Sequence, residues 1–150
     1  MIKIVKTNSQ NNDFIGLVKF LDADMAILDG DDHDFYSQFN RIVNIKYAIV
    51  AFEDEIPVGC GAIKEFDNET MEVKRMYVLP ASRRKGIAGN ILDELEKWAK
   101  ELSYKKCVLE TGLRQPEAIS LYKKAGYCQI PNYGQYVGVE NSVCFKKILI

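Results

Sequence analysis

The chain reads as one α/β domain in which a mixed sheet carries helices on both faces. Three features predict this. Short runs rich in branched and aromatic residues recur from Ile2 to Leu149, as strands do. Two longer stretches carry apolar residues at helical spacing. In the second half the order is strand–helix–strand–helix–strand, which sets helices against a sheet rather than in a bundle. At 150 residues, with 47% hydrophobic and 27% charged residues, the chain is long enough to bury one sizeable core.

Taken in order, Ile2–Lys6 is a short strand. Phe14–Ile27 places Phe14, Leu17, Val18, Leu21 and Met25 on one helical stripe. Phe35–Phe39 starts a second, shorter helix. Tyr47–Phe52 and Val58–Ile63 are strands joined by a turn at Asp54–Pro57, which makes a hairpin. The alternation of Met71–Leu79 predicts the next strand. Ile87–Leu102 then carries Ile87, Ile91, Leu92, Leu95, Trp98, Ala99 and Leu102 on one side and Asp93, Glu94, Lys97 and Lys100 on the other. Cys107–Glu110 is a buried strand. Pro116–Ala125 is a helix, with Pro in its first turn and Gly126 at its C-terminal end. Ser142–Leu149 closes as a strand. No repeat, low-complexity tract or linker divides residues 1–150.

Composition removes several function classes. A net charge of −1 gives no general attraction to nucleic acid or to anionic membranes. No apolar run reaches membrane-spanning length, and the N-terminus lacks a signal-peptide core, so a cytoplasmic protein is expected. Cys60, Cys107, Cys128 and Cys144 form no Cys-x-x-Cys pair, and each sits in an apolar strand context. They read as buried free thiols rather than zinc ligands or disulfides. His33, the only histidine, lies in an acidic loop and reads as surface. No metal is expected.

The chemistry concentrates between Pro80 and Gly89, which reads Pro-Ala-Ser-Arg-Arg-Lys-Gly-Ile-Ala-Gly. A basic, glycine-containing turn from a strand into a helix is suited to phosphates. Backbone N–H groups point outward, the helix dipole favours negative charge, and Gly permits close approach. Arg83, Arg84 and Lys85 add positive charge. It is not a Walker loop, since Pro80 stands where the first Gly would be, and Gly86-Ile87-Ala88-Gly89 does not make a dinucleotide fingerprint.

What remains, Arg83-x-x-Gly86-x-Ala88, resembles the Arg/Gln-x-x-Gly-x-Gly/Ala signature of the GCN5-related N-acetyltransferases (GNAT). Met71–Leu79 followed by Pro80 looks like that family's fourth strand, and Glu117–Tyr127 looks like its Ala-Ile-x-Leu-Tyr-x-x-x-Gly-Phe segment. The resemblance covers about Lys46 to Tyr127. It implies a mostly antiparallel mixed sheet with a splayed central strand pair, and acetyl-CoA as cosubstrate. Arg83, Arg84, Lys85, Gly86, Ile87, Ala88 and Gly89 would hold the diphosphate. Met76, Tyr77 and Val78 would offer backbone groups to the pantetheine arm. Gln115 stands where relatives often carry an Asn that contacts the same arm, a departure followed by Pro116.

The resemblance also implies acetyl transfer to a primary amine of a small molecule or peptide. An alkyl ammonium has a pKa near 10, so only about one molecule in a thousand is nucleophilic at neutral pH, and a base is useful. Glu72, eleven residues before Arg83, has the spacing of the base in histone-type members; apolar walls would raise its pKa. The other reading pairs Glu72 with a Lys or Arg on an exposed face. Tyr122 corresponds to the tyrosine that commonly protonates the leaving thiolate, and its other reading is a core aromatic. Asp13, Asp22, Asp24, Asp29, Asp31, Asp32 and Asp34 form an acidic rim that would draw a cationic amine, or a solvated face. Asn132–Tyr136 lines the acceptor pocket or is a turn with packed aromatics. A non-catalytic coenzyme A-binding sensor and a nucleotide-binding domain are the competing functions, and a homodimer is left open.

Overall fold

A computed structural model of the chain describes residues 1–29 and 45–150; the helix expected at Phe35–Phe39, His33, and the aspartates 31, 32 and 34 lie outside the described residues. The described strands and helices are β1 (Ile2–Thr7), α1 (Asn12–Asp29), β2 (Tyr47–Glu53), β3 (Ile56–Asp67), β4 (Thr70–Val78), α2 (Ile87–Glu101), β5 (Lys106–Gly112), α3 (Pro116–Lys124), β6 (Cys128–Ile130) and β7 (Ser142–Ile148). They build a seven-stranded sheet in the order β1-β2-β3-β4-β5-β7-β6. Every neighbouring pair is antiparallel except β4 and β5, which run parallel.

Local chemistry accounts for the element ends. The Asn11 side chain accepts the Phe14 N–H at 3.0 Å, a side-chain cap that starts α1. Asp54 and Glu55 both take positive φ, 50° and 72°, giving the two-residue hairpin turn between β2 and β3. Gly126, at φ 97°, ends the turn after α3.

Alternation along β2, β3 and β4 divides the core into two layers. On one face, Ile87, Ile91, Leu92, Leu95 and Ala99 of α2 pack on Ile49, Ala51, Ile63, Met71, Val73, Cys107 and Leu109. Full burial of each aliphatic side chain contributes about 1.5–3 kcal/mol. On the other face, Phe14, Leu17 and Val18 of α1 pack on Ala48, Val50, Cys60, Ala62 and Tyr77. Gly61 makes the α2 contact possible. A Cβ there would lie 2.6 Å from Met76 Sδ and 2.8 Å from Ile91 Cγ2.

Two details depart from the sequence reading, and a third lies outside it. Strand β6, three residues long, was not expected. Cys128, on that edge strand, is exposed, whereas Cys60, Cys107 and Cys144 are buried; an edge strand shields one side at most. Glu96 points inward despite its charge, and Lys147 of β7 donates to it at 2.8 Å.

Candidate active site

The central parallel pair opens into a cleft. β4 pairs with β5 only over Thr70–Glu72 against Lys106–Val108; thereafter β5 follows β7 as far as Gly112, while β4 runs on to Val78 with β3 alone. The second half of β4 therefore presents one edge unpaired, and backbone donors and acceptors on such an edge need a partner. The register against β3 also slips, so that Gly61 alone faces Arg75 and Met76. Arg75 takes a left-handed φ of 59°. This is a β-bulge, which re-aims the backbone and side chains that follow it.

Beyond the bulge, Met76 packs toward α2 and Tyr77 toward α1. The Val78 carbonyl already accepts the Arg83 Nε–H at 2.8 Å. The guanidinium of Arg83 lies 5.5 Å over the Tyr77 ring and 3.8 Å from Asp24. Arg83 thus braces the turn as well as charging it. Burial, helped by Asp24, holds the Tyr77 hydroxyl above its usual pKa.

The turn itself is Pro80–Ser82 in 3-10 conformation, then Arg84 at φ 67° and Gly86 at φ 81°, which caps α2. A Cβ at Gly86 would meet nothing within 4 Å, so its backbone angle, not crowding, is the demand for glycine. No side chain caps α2 and no acid occupies its first turn. The amides of Ile87, Ala88 and Gly89 have no intrahelical acceptor, while Asn90 bonds back to Gly86. The Ile87 side chain is core. Lys85 reaches Glu53 at 3.2 Å, and Arg84 is exposed. Main-chain amides thus supply the fixed donors here, and the cations form a partly paired rim.

A cavity of about 110 Å³ lies where the strands part, lined by Leu21 and Met25 of α1, Glu72–Met76, Glu110–Gly112, Gln115, Ala118, Tyr122 and Tyr136. Both residues proposed for proton transfer line it. Tyr122 is buried, in edge contact with Tyr127 at 5.9 Å between ring centroids. Burial, and then the Glu110 carboxylate, push its pKa up, so the hydroxyl stays protonated. Core aromatic and cavity wall are therefore both true of Tyr122. Gln115 stands just before α3, its Nε2 3.6 Å from Met25 Sδ.

Glu72 is only 8% exposed, but its surroundings are polar rather than apolar. Tyr133 donates to it at 2.6 Å and Lys74 lies at 3.5 Å. Burial, followed by Glu72, raises the Tyr133 pKa strongly. The expected cationic partner is present, yet on a buried face, not an exposed one. The Asn132–Tyr136 segment is a turn with packed aromatics, Tyr133 against Tyr136, and it also reaches the cavity: Tyr133 bonds Glu72 and Tyr136 lines the wall.

The sequence reading missed Lys74, Arg75 and Glu110. Its acidic rim is also changed, because Asp22 is bonded to Arg75 and Asp24 is paired with Arg83. Lys74 and Arg75 stand as adjacent charges inside a mostly buried strand, but alternation alone does not mark them as buried. Among the described residues no group of three or more His, Cys, Asp or Glu is arranged to hold a metal, and no helix is long and apolar enough to cross a membrane.

The fold is a mixed sheet split between its parallel central strands, with an uncapped helix start at the mouth of the split. The chain belongs to the acetyltransferase (GNAT) family, whose model matches residues 14–127. Among similar proteins are the IAA acetyltransferase of Azospirillum brasilense, 36% identical over 59% of this chain and 58% of that protein, and the uncharacterized N-acetyltransferase YjgM of Escherichia coli, 37% identical over 54% and 50%. The matches thus span about half the length of these curated relatives. A Klebsiella pneumoniae structure, provisionally assigned as an acyl-CoA N-acyltransferase, superposes with TM-score 0.84 at 26% identity, covering 100% of this chain and 99% of that one. The PaiA N-acetyltransferase of Thermoplasma acidophilum, solved with coenzyme A, shares the fold with TM-score 0.73 at 19% identity, over 99% of each chain.

Proposed function

We propose that this chain transfers the acetyl group of acetyl-CoA to a primary amine by direct attack of the amine on the thioester. The observation that carries the reading is the parting of β4 from β5 after Glu72 and Val108, just ahead of the uncapped start of α2. An unpaired strand edge suits the amides of a pantetheine arm, and a helix start free of acids suits a diphosphate. That relatives are named acetyltransferases, one of them an N-acetyltransferase, and that a fold neighbour was solved with coenzyme A, support the same choice.

In this reading the amides of Ile87, Ala88 and Gly89 bind the diphosphate, aided by Arg83, Arg84, Lys85 and the turn at Gly86. The freed edge of Met76–Val78 orients the arm, and a Tyr77 or Val78 amide stabilises the charge that develops on the thioester oxygen. Gln115 closes the α3 side. Glu72 takes the proton from the amine, directly or through water, with Tyr133 and Lys74 fixing its position. Tyr122, kept protonated by burial, donates to the departing sulfur. The acceptor is a small molecule or peptide reaching the cavity from the α1 side. Release of free thiol from acetyl-CoA, measured over a panel of amino acids, polyamines and peptides, tests this. Amine-dependent release is expected; tight coenzyme binding without release for any amine would leave a non-catalytic sensor instead.

A further inference from the structure

The charges in the cavity say what kind of amine it accepts. Four charged side chains line it, two acids and two bases: Glu72, Glu110, Lys74 and Arg75. The bulge brings the bases to one face in immediate succession, since Lys74 approaches Glu72 while Arg75 turns to Asp22 of α1. The Arg75 side chain is only 2% exposed. Its Nη2 is bonded to Asp22, but its Nε–H is buried with no acceptor among the described residues. A buried guanidinium donor without an acceptor is a binding capacity left for something else. Lys74, 9% exposed, is held only loosely by Glu72 at 3.5 Å. The left-handed φ of Arg75 adds a second sign, because such strain in a non-glycine residue gathers at sites of function.

We infer, resting on the acetyl-transfer reading, that the acceptor is an amine that also carries a carboxylate, an amino-acid-like zwitterion whose carboxylate is held by the Arg75 Nε–H and the Lys74 ammonium while its amine lies toward Glu72 and Glu110. The guanidinium donates in a planar fork that fits a carboxylate. A polyamine would bring its second ammonium against Lys74 and Arg75, and like charges in a buried site reject a ligand. Two of the aspartates suited to draw a polycation, Asp22 and Asp24, are bonded to Arg75 and Arg83.

The test measures thiol release from acetyl-CoA with glycine, alanine, phenylalanine, lysine and glutamate, each beside its α-carboxamide at equal concentration of neutral amine. At least one acid is expected to exceed its amide at least tenfold in kcat/KM. Arg75→Gln is expected to bring that ratio near one without changing calorimetric affinity for acetyl-CoA. Lys74→Gln, which keeps the bulge and the Asp22 contact, is expected to lower the ratio in the same direction if Arg75→Gln fails to fold. Carboxamides, cadaverine or spermidine working as well as the acids would overturn the inference and leave acetyl transfer standing. Both variants keeping the wild-type ratio would do the same, whereas acetyl-CoA binding with no amine acetylated would overturn the inference and the acetyl-transfer reading together. Failure to bind acetyl-CoA at all would remove the underlying reading as well.

Discussion

On the α2 face of β4, Met71 and Val73 are buried against Ile91, Leu95 and other aliphatic side chains. On the α1 face of the same strand, Glu72, Lys74 and Arg75 are nearly as deeply buried, yet all are charged. Apolar burial is non-directional and stabilises whatever packs there. Buried charges are costly unless each is paired, and here the pairs are incomplete: a 3.5 Å approach between Lys74 and Glu72, and an Nε–H on Arg75 without an acceptor among the described residues. One face of the strand holds the fold together, and the other is the face we propose for the acceptor.

Substitutions on the two faces should separate accordingly. Leu95→Ala, on the α2 face, is expected to lower unfolding free energy by about 2–5 kcal/mol in denaturant titration, with the acceptor preference unchanged. Loss of that preference would mean that the faces are not independent. Glu72→Gln is expected to reduce kcat by about 100-fold. Because Lys74 loses its counter-charge, stability falls too, so rates are compared well below both melting midpoints. A rate within a few-fold of wild type would assign the proton to water or backbone. Tyr122→Phe is expected to lower kcat by about 10–100-fold while calorimetric affinity for acetyl-CoA survives; unchanged turnover returns Tyr122 to the core alone.

The smallest effect is a stability slope at alkaline pH. Burial pushes the Cys60 thiol, between β3 and α1, up to about 12 from an ordinary 9.0. Between those values the native chain keeps a proton that the unfolded chain has lost. Its contribution is therefore complete below pH 9.0 and declines as pH rises toward 12, by about 1.4 kcal/mol per pH unit. Cys60→Ala should flatten that decline in urea melts taken from neutral to alkaline pH, and an unaltered slope would assign the loss to other groups.

The same contrast explains what could be read from the chain alone. The α2 stripe from Ile87 to Ala99 was legible because helical period and apolar character coincide there. The turn at Pro80–Gly89 was legible because its chemistry is local. The charged face of β4 was not. Alternation assigns Glu72 and Lys74 to solvent, and only the tertiary cover of α1 and of Tyr133 and Tyr136 buries them. The Arg75 bulge falls on a residue with no glycine to announce it, so neither the face-switch nor the pairing of Arg75 with Asp22, 53 residues away, carries a sequence signal. β6 is too short for periodicity. Its place outside β7 follows from long-range pairing, which local propensity does not encode.

Calorimetric titration of the folded protein with acetyl-CoA bears most directly on the split strand pair and the open amides of α2. Saturable binding with one site per chain, weakened by Arg84→Glu and more so at low salt, is the expected result. The absence of any binding heat from well-folded protein, across temperatures and with free coenzyme A as well, would contradict it.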